Sequence, residues 1–422
     1  MADVAEIFVV GGGASGMAAA ITASQTLQKQ KQPGRVLLLE KEPRIGKKLL
    51  ATGNGRCNLS NLAAGPSHYH NGGSWASPLL RDYPAKAVIR AFEQMGLLCR
   101  SDGEGRVYPY NLQSSAVLEI LRLQLQRNGV QVVCDCPVTA MQKKGAVFQL
   151  TTPKGNWFSR RVILSTGGRA APKLGSDGSG AALAKTLGHT ICPQFPALSP
   201  LCCDGAASLG LKGMRSQAVV SLLDNGNVCQ TEQGEVQFTD YGLSGICVFQ
   251  LSGQALELLN KGHSVTLSLD LMTEWKQEQL TKKIAGQGKR YPELPTLSLL
   301  CGFINQKVGQ AVVKQALGKQ IPQKAGDCRY DQYEQISKTV KAFRFSVTGS
   351  PGWDSAQVTA GGVDCKEVDG TTMASRRCRG LYLTGELLSL YGDCGGFNLH
   401  LAWSSGMAAG QACAQSLKEE KR

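Results

Sequence analysis

The sequence predicts an α/β protein: a discontinuous Rossmann-type dinucleotide-binding domain with an inserted β-rich domain and a small helical subdomain. Three observations carry this. A short apolar strand runs through a glycine-rich turn into an Ala/Leu helix at the start of the chain. A second strand ends in a carboxylate. Glycine-rich turns beside apolar runs return near the far end, from Val358-Thr359-Ala360-Gly361-Gly362-Val363 onward, after a stretch of different character. With 422 residues the chain is too long for one small core. The expected division is 1–195 for the first part of the nucleotide domain, 196–354 for the insertion with its helical subdomain near 271–345, and 355–422 for the second part.

Glu6–Val10 reads as a buried strand, Gly11-Gly12-Gly13-Ala14-Ser15-Gly16 follows, and Ala18–Leu27 reads as a helix. Gly11, Gly13 and Gly16 fit G-x-G-x-x-G, with Ala14 and Ser15 completing the turn. The first glycine permits the tight turn, the second lets a pyrophosphate approach the backbone, and the third permits close helix–strand packing. The helix N-terminus offers free N–H groups and a favourable dipole to phosphate. Arg35–Leu39 reads as the second strand. It ends at Glu40, where the fold places an acceptor for ribose hydroxyls. A glycine turn alone is weak evidence, and a coincidental turn in another α/β protein is the alternative. Strand, glycines, helix, strand and acid in this order are stronger.

Next comes Lys41-Glu42-Pro43-Arg44-Ile45-Gly46-Lys47-Lys48, continuing into Thr52-Gly53-Asn54-Gly55-Arg56-Cys57-Asn58-Leu59-Ser60-Asn61. Lys41, Lys47, Lys48 and Arg56 can neutralise a diphosphate. Gly53 and Gly55 let backbone approach a planar ring, and Asn54, Asn58 and Asn61 offer donors and acceptors. A capped turn explains the Gly/Asn content but not the basic run. This block resembles the HI0933-like, or BaiN-like, flavoprotein family, within the wider two-dinucleotide-binding-domain flavoproteins. The resemblance spans nearly the whole length. It implies that the nucleotide domain binds FAD, and that this loop runs from the adenosine ribose toward the isoalloxazine ring.

The middle of the chain continues the likeness. Ala85–Met95 and Ala116–Arg127 read as helices. Gly105-Arg106-Val107-Tyr108-Pro109 resembles the family's G-R-V-[FY]-P element. Val130–Cys134 and Val147–Leu150 read as strands of a small sheet common to these flavoproteins, and Val138 is counted with the cofactor-binding residues. Val162–Ser165 is a strand ending in Thr166-Gly167-Gly168, which resembles the family's T-G-G turn beside FAD. In the insertion, Val219–Leu223 and Val228–Gln230 flank Asp224-Asn225-Gly226-Asn227 as a hairpin. Phe238-Thr239-Asp240-Tyr241-Gly242-Leu243-Ser244-Gly245 resembles a family block that carries histidine at the position of Asp240 and proline at that of Ile246. A histidine-based proton transfer there is therefore in doubt. Thr273–Ile284, Phe303–Ala316 and Tyr333–Val340 read as the helices of the subdomain.

Near the C-terminus, Gly380–Leu383 reads as a strand followed by Thr384-Gly385-Glu386. Gly395-Gly396-Phe397-Asn398-Leu399 then precedes a helix over His400–Cys413. This resembles the family's closing pattern, in which acids and backbone amides surround the flavin ribityl chain and pyrimidine edge. A helix N-terminus stabilises charge gained there on reduction. An ordinary strand–turn–helix closing the sheet is compatible with the same residues.

The formal net charge is +14, which attracts polyanions without proving that any binds. Between Leu271 and Phe345 thirteen Lys/Arg face six Asp/Glu, so +7 sits in this segment. It reads either as a solvated helical surface or as a nucleic-acid-facing patch. No stretch reaches the roughly 18 apolar residues of a membrane helix, and the N-terminal apolar run reads as a strand and not a signal peptide. The expectation is a cytoplasmic protein without stable membrane association. Fifteen cysteines and five histidines show no metal-ligand spacing, so no metal is expected.

The expected chemistry is reduction of a carbonyl-activated C=C bond by FAD, with NAD(P)H as the transient electron donor. The resemblance implies two substrate classes. One is uridine in large-subunit ribosomal RNA, giving dihydrouridine, as in the ribosomal RNA dihydrouridine synthase-like members. The other is a small enone, an unsaturated oxo-steroid or bile-acid intermediate. The charge favours RNA. A flavin-containing RNA-binding or redox-sensing protein is the non-enzymatic alternative. Cys57 is the candidate proton donor, with a compact core residue beside the cofactor as its alternative reading; Arg56 is the group that steadies the substrate carbonyl, Cys394 is the competing thiol, and water can replace both thiols.

Overall fold

The computed structural model describes residues 4–32 and 34–419; the outermost ends of the expected first and last segments lie outside the described residues. The chain divides into two compact units, Met1–Phe195 with Val358–Arg422, and Pro196–Gln357.

The first unit is built on a seven-stranded sheet. Four strands lie side by side and parallel in the order Gln131–Val133, Val36–Leu39, Val4–Val10 and Gly155–Leu164, and Leu381–Leu383 pairs parallel with the end of the last. Ile7–Val10 and Val36–Leu39 are continuous buried apolar runs, as a parallel sheet covered on both faces requires. The first half of Gly155–Leu164 also pairs antiparallel with Val147–Thr152, which pairs with Ala140–Lys144. The segment expected at Val130–Cys134 as part of a separate small sheet is instead the outer strand of the main sheet. It is a largely exposed edge held through Leu37–Leu39.

The first helix runs Ala14–Lys29, four residues earlier than the Ala/Leu pattern suggests, because Gly13 takes an extended conformation and caps it. It lies against the last helix, Phe397–Glu419, which exceeds the expected His400–Cys413 at both ends. A Cβ on Gly406 would collide with the carbonyl of Ser15, and one on Gly410 with that of Ala19. Trp403 fills the space beside this contact, fully buried, with its indole N–H donating to the Leu59 carbonyl at 3.0 Å.

In the second unit six strands close a barrel, in the order Leu201–Cys203, Gly242–Ser244, Asn227–Phe238, Arg215–Asp224, Val265–Asp270 and Phe343–Gly349. The hairpin turns at Asn225 and Gly226, both with positive φ (49° and 88°), the conformation an Asn-Gly turn favours. Phe238, Phe343 and Phe345 pack inside with ring centroids 4.6–6.4 Å apart. No helix was expected over Ile246–Asn260, which forms one. Its apolar residues Val248, Leu251 and Ala255 recur at helical spacing and are buried. Gln277–Arg290, Gln306–Leu317 and Tyr330–Lys341 form the helical part, between the last two barrel strands in sequence. Among the described residues no helix is long and apolar enough to cross a membrane.

The bare helix–helix contact predicts a sharp sensitivity. Gly410→Val should cost about 1–3 kcal/mol by overpacking. Gln415→Val, on the exposed side of the same helix, should cost less than about 1 kcal/mol, through helix propensity alone. Urea unfolding of the two variants measures the difference, and equal costs would contradict the packing account.

Candidate cofactor site

The parallel strands end in register. Val10 stands opposite both Leu39 and Leu164, Leu39 opposite Val133, and Leu164 opposite Leu383. Gly11, Glu40, Cys134, Ser165 and Thr384 therefore emerge along one edge, the edge at which open α/β sheets bind ligands. Gly11 is left-handed (φ 104°), and its N–H donates to the Leu39 carbonyl at 2.8 Å. A Cβ on Gly16 would collide with the Gly11 carbonyl, so the turn folds back tightly onto its helix. A Cβ on Gly13 would meet nothing within 4 Å. Gly13 thus borders open space just where the first helix presents N–H groups with no helical acceptor, a fit for a diphosphate.

Glu40 does more than end a strand. Its Oε2 accepts from the Gly12 N–H at 2.6 Å and its Oε1 from the Glu42 N–H at 2.8 Å, so the carboxylate staples the glycine turn to the basic loop. Burial raises its pKa against these two bonds. Each oxygen keeps a further lone pair, so an acceptor role toward ribose hydroxyls remains open to it. The basic run is neutralised locally. Lys41 pairs with Asp177 at 2.5 Å, Lys47 with Glu42 at 2.7 Å, and Lys48 with Glu386 at 2.7 Å. Glu386 also accepts from the N–H and hydroxyl of Thr359, whose oxygen accepts from the N–H groups of Arg169 and Ala170 just past Gly167-Gly168. Asp177 and Thr359 carried no sequence motif and were missed.

Among the described residues five buried polar side-chain atoms lack a hydrogen-bond partner, and two of them, Thr166 Oγ1 and Asn58 Oδ1, belong to the segments expected beside the cofactor. Leaving such a group unpaired costs about 1–3 kcal/mol, and native proteins seldom do so where no ligand supplies the bond. Thr166 opens the T-G-G turn. The carboxamide oxygen of Asn58 lies at Gly396, where a Cβ would also collide with the Ser60 carbonyl. Gly395 and Gly396 are both left-handed (φ 120° and 100°), and Asn61 donates to the Gly395 carbonyl at 2.9 Å. Asn398 accepts from the Gly392 N–H and donates to its carbonyl, both at 2.8 Å, which shapes the loop before the glycines. The Gly385 N–H donates to Ser405 Oγ at 3.0 Å. Phe397 is buried, and Leu399 and Val138 are half-buried against the core.

The thiol expectation needs correction. Gly53, Asn54, Gly55 and Cys57 all have positive φ, a strained run of the kind found at ligand sites. This twist turns Cys57 inward. It has no solvent exposure, belongs to the hydrophobic core, and burial pushes its thiol up to about 12. A group so placed does not reach a substrate. Arg56, by contrast, is exposed, with its guanidinium 5.8 Å from the Tyr108 ring centroid. Arg106 is tied to Asp102 and Glu104 at 2.7 and 2.8 Å. Cys394 is half-buried in the loop before Gly395. Asp240, in the second unit, forms a surface pair with Lys212 at 2.6 Å. Among the described residues no cluster of three His, Cys, Asp or Glu could hold a metal.

One histidine supports the site from behind. His400, in the first turn of the last helix, is buried between Ser60 Oγ (2.9 Å from Nδ1) and Ser404 Oγ (3.4 Å from Nε2). Burial lowers its pKa to about 4, so it stays neutral and ties the helix start to the Ser60–Asn61 strand.

A glycine turn at the ends of parallel strands, completed from the far end of the chain by a second glycine block, is the architecture of a Rossmann-type dinucleotide-binding protein. A family model described as the HI0933-like protein Rossmann domain matches residues 5–412, and the chain belongs to that family of flavin-dependent oxidoreductases. It is 36% identical over 411 residues to the 3-dehydro-bile acid delta(4,6)-reductase of Clostridium scindens, covering 97% of this chain and 99% of the relative. It is 27% identical over 418 residues to the ribosomal RNA dihydrouridine synthase of Escherichia coli, covering 98% of each. It is 24% identical over 435 residues to that of Haemophilus influenzae, covering 100% of each.

Two outcomes are expected. Gly13→Val should leave the apoprotein's thermal midpoint unchanged but weaken flavin binding at least about tenfold, or 1.4 kcal/mol; flavin titration followed by fluorescence reads this. The folded pKa of His400 lies below its ordinary 6.5, so the unfolded chain binds more protons between the two values. Its contribution is intact above about pH 6.5 and is lost as the pH falls toward 4. In unfolding curves across that window, His400→Gln should lose less stability on acidification than wild type.

Proposed function

We propose that the chain binds FAD noncovalently and reduces the carbonyl-activated C=C bond of a small oxo-steroid-type enone. The observation that carries the substrate class is the 36% identity, over 97% of this chain, with a 3-dehydro-bile acid delta(4,6)-reductase, against 24–27% with the two rRNA-named relatives. The orphaned Thr166 and Asn58 oxygens, the open face of Gly13 and the left-handed Gly395-Gly396 pair support the cofactor. In this reading the Gly11–Gly16 turn and helix N-terminus hold the diphosphate, Glu40 the ribose, and the segments 53–58, 166–168 and 395–399 the flavin end. These residues would hold FAD, which, reduced by NAD(P)H or another donor, would furnish the hydride for the β-carbon of the enone. Arg56 steadies the substrate carbonyl and the start of the last helix favours negative charge. With none of the fifteen cysteines in a disulfide, the fold suits a reducing, cytoplasmic setting.

This departs from the RNA reading that the charge favoured. In the basic insertion Lys324, Arg329, Lys338 and Lys341 are each paired with a carboxylate, so part of the excess is neutralised where it sits. One feature still favours a nucleic acid. Trp275, with Lys283 5.9 Å from its ring centroid, lines an open hollow with Lys282, and basic and aromatic groups together suit single-stranded RNA.

Anaerobic assays with NADH and NADPH decide between the substrates. The purified yellow protein should consume a 3-oxo-4,6-diene steroid acid and leave uridine in ribosomal RNA unchanged. The double variant Lys282→Gln/Lys283→Gln should keep its steroid turnover. Dihydrouridine formation that this variant loses would reverse the assignment.

A further inference from the structure

Beside the second glycine block, two histidines share one carboxylate. The short strand Tyr69–His70 pairs antiparallel with Tyr391–Gly392, which brings Asp393 between His68 and His70. Asp393 Oδ2 lies 2.9 Å from His68 Nδ1, and Oδ1 lies 2.7 Å from His70 Nε2. Both rings are braced by aromatic stacking, His68 on Phe397 at 4.3 Å and His70 on Tyr391 at 4.7 Å. The backbone is fixed as well: the Asp393 N–H donates to the His68 carbonyl at 3.0 Å, and Asn398 donates to the Asp393 carbonyl at 3.2 Å. The imidazoles are 35% and 32% exposed and the carboxylate 18%, so the rings reach solvent while their anchor is set deeper. Burial works to raise the Asp393 carboxyl, but the bonds from His70 and His68 outweigh it and hold the group below its ordinary range.

The chemistry follows from the donors. A carboxylate that accepts from both rings places one hydrogen on His68 Nδ1 and the other on His70 Nε2. His68 Nε2 and His70 Nδ1 are then the atoms left to take up and release a proton, and Asp393 stabilises whichever ring is charged, the logic of a base oriented by a third group. The location suits the reaction. Phe397, on which His68 stacks, is the first residue of the helix that follows Gly395-Gly396, the segment assigned to the flavin's pyrimidine edge.

We propose that His68 and His70 are the proton donors of the enone reduction and that Asp393 is the residue that positions them. This rests on the enone reading above. The C=C π-bond breaks; hydride from the reduced cofactor forms a C–H bond at the β-carbon, and an imidazolium N–H proton forms one at the α-carbon. The ring is left neutral and regains its proton from water. The alkene gains two hydrogens, and the reduced cofactor supplies both electrons.

The test uses holoenzyme reduced anaerobically with one equivalent of dithionite and mixed with a 3-oxo-4,6-diene steroid acid, with flavin reoxidation followed by absorbance. The variant His68→Ala/His70→Ala should reoxidise at least about 100-fold more slowly, with part of the rate restored by added imidazole. Its flavin midpoint potential and its affinity for the singly reduced 3-oxo product, read by calorimetry, should match wild type. Asp393→Asn, which keeps both rings, should slow the same step by a smaller factor without imidazole rescue. Wild-type reoxidation in the double variant overturns the proposal alone. So does a product affinity that falls as far as the rate, since that marks a structural role. A flavin-bound wild type inert toward the steroid overturns the enone reading, and this proposal with it. If the double variant fails to fold, His68→Gln/His70→Gln takes its place under the same criteria.

Discussion

The first unit depends on a backbone-to-backbone contact between its two most distant helices. Ala14–Lys29 and Phe397–Glu419 touch where Gly406 and Gly410 have no side chains to hold them apart. Close approach here sets the last helix against the first, and with it the glycine block that precedes it. Leu381–Leu383 then completes the sheet in register with Val162–Leu164. Gly385 sits against Ser15, where a Cβ would lie 2.8 Å from the Ser15 hydroxyl. One half of the cofactor site is thus docked onto the other. The 162 residues of the inserted unit cost this arrangement little beyond loop-closure entropy, which grows only as the logarithm of length.

Charge in the site is managed by pairing. Lys41, Lys47 and Lys48 each end on a carboxylate, and two of those carboxylates in turn hold loops, Asp177 through Ser179 and Glu386 through Thr359. The positive potential left for a diphosphate comes from helix N–H groups, which are fixed in direction and need no counter-ion. The same economy appears at the other glycine block. There a neutral buried His400 and the shared Asp393 carboxylate replace the bare acids and thiols suggested by composition.

The thiol and the histidines show how one local twist reassigns chemistry. Left-handed backbone at Cys57 turns the side chain into the core, where its proton is held too tightly and no substrate reaches it. Eleven positions later, a two-residue strand turns His68 and His70 toward a carboxylate more than 320 residues away in sequence. Proximity in the folded chain, and not residue type, decides which group can donate a proton.

Much of the cofactor half was legible in the residues themselves. The order of strand, Gly11, Gly13, Gly16, helix, strand and Glu40 follows from local rules, since a tight turn into a helix needs glycine and a parallel strand needs an apolar run, whereas Thr166-Gly167-Gly168 was singled out by its likeness to the family's turn. The hairpin at Asn225-Gly226 and the three helices of the insertion followed from turn chemistry and period. Other features were not legible. The helix Ile246–Asn260 carries a helical period at Val248, Leu251 and Ala255, but its apolar residues extend past one stripe, so the period stands out only once its buried face is known. The ion pairs of Lys41, Lys47 and Lys48, the inward turn of Cys57 and the His68–Asp393–His70 cluster depend on distance through space. Sequence spacing constrains groups on one helix or strand; only the tertiary structure brings together groups hundreds of residues apart and settles which charges meet and which proton can move.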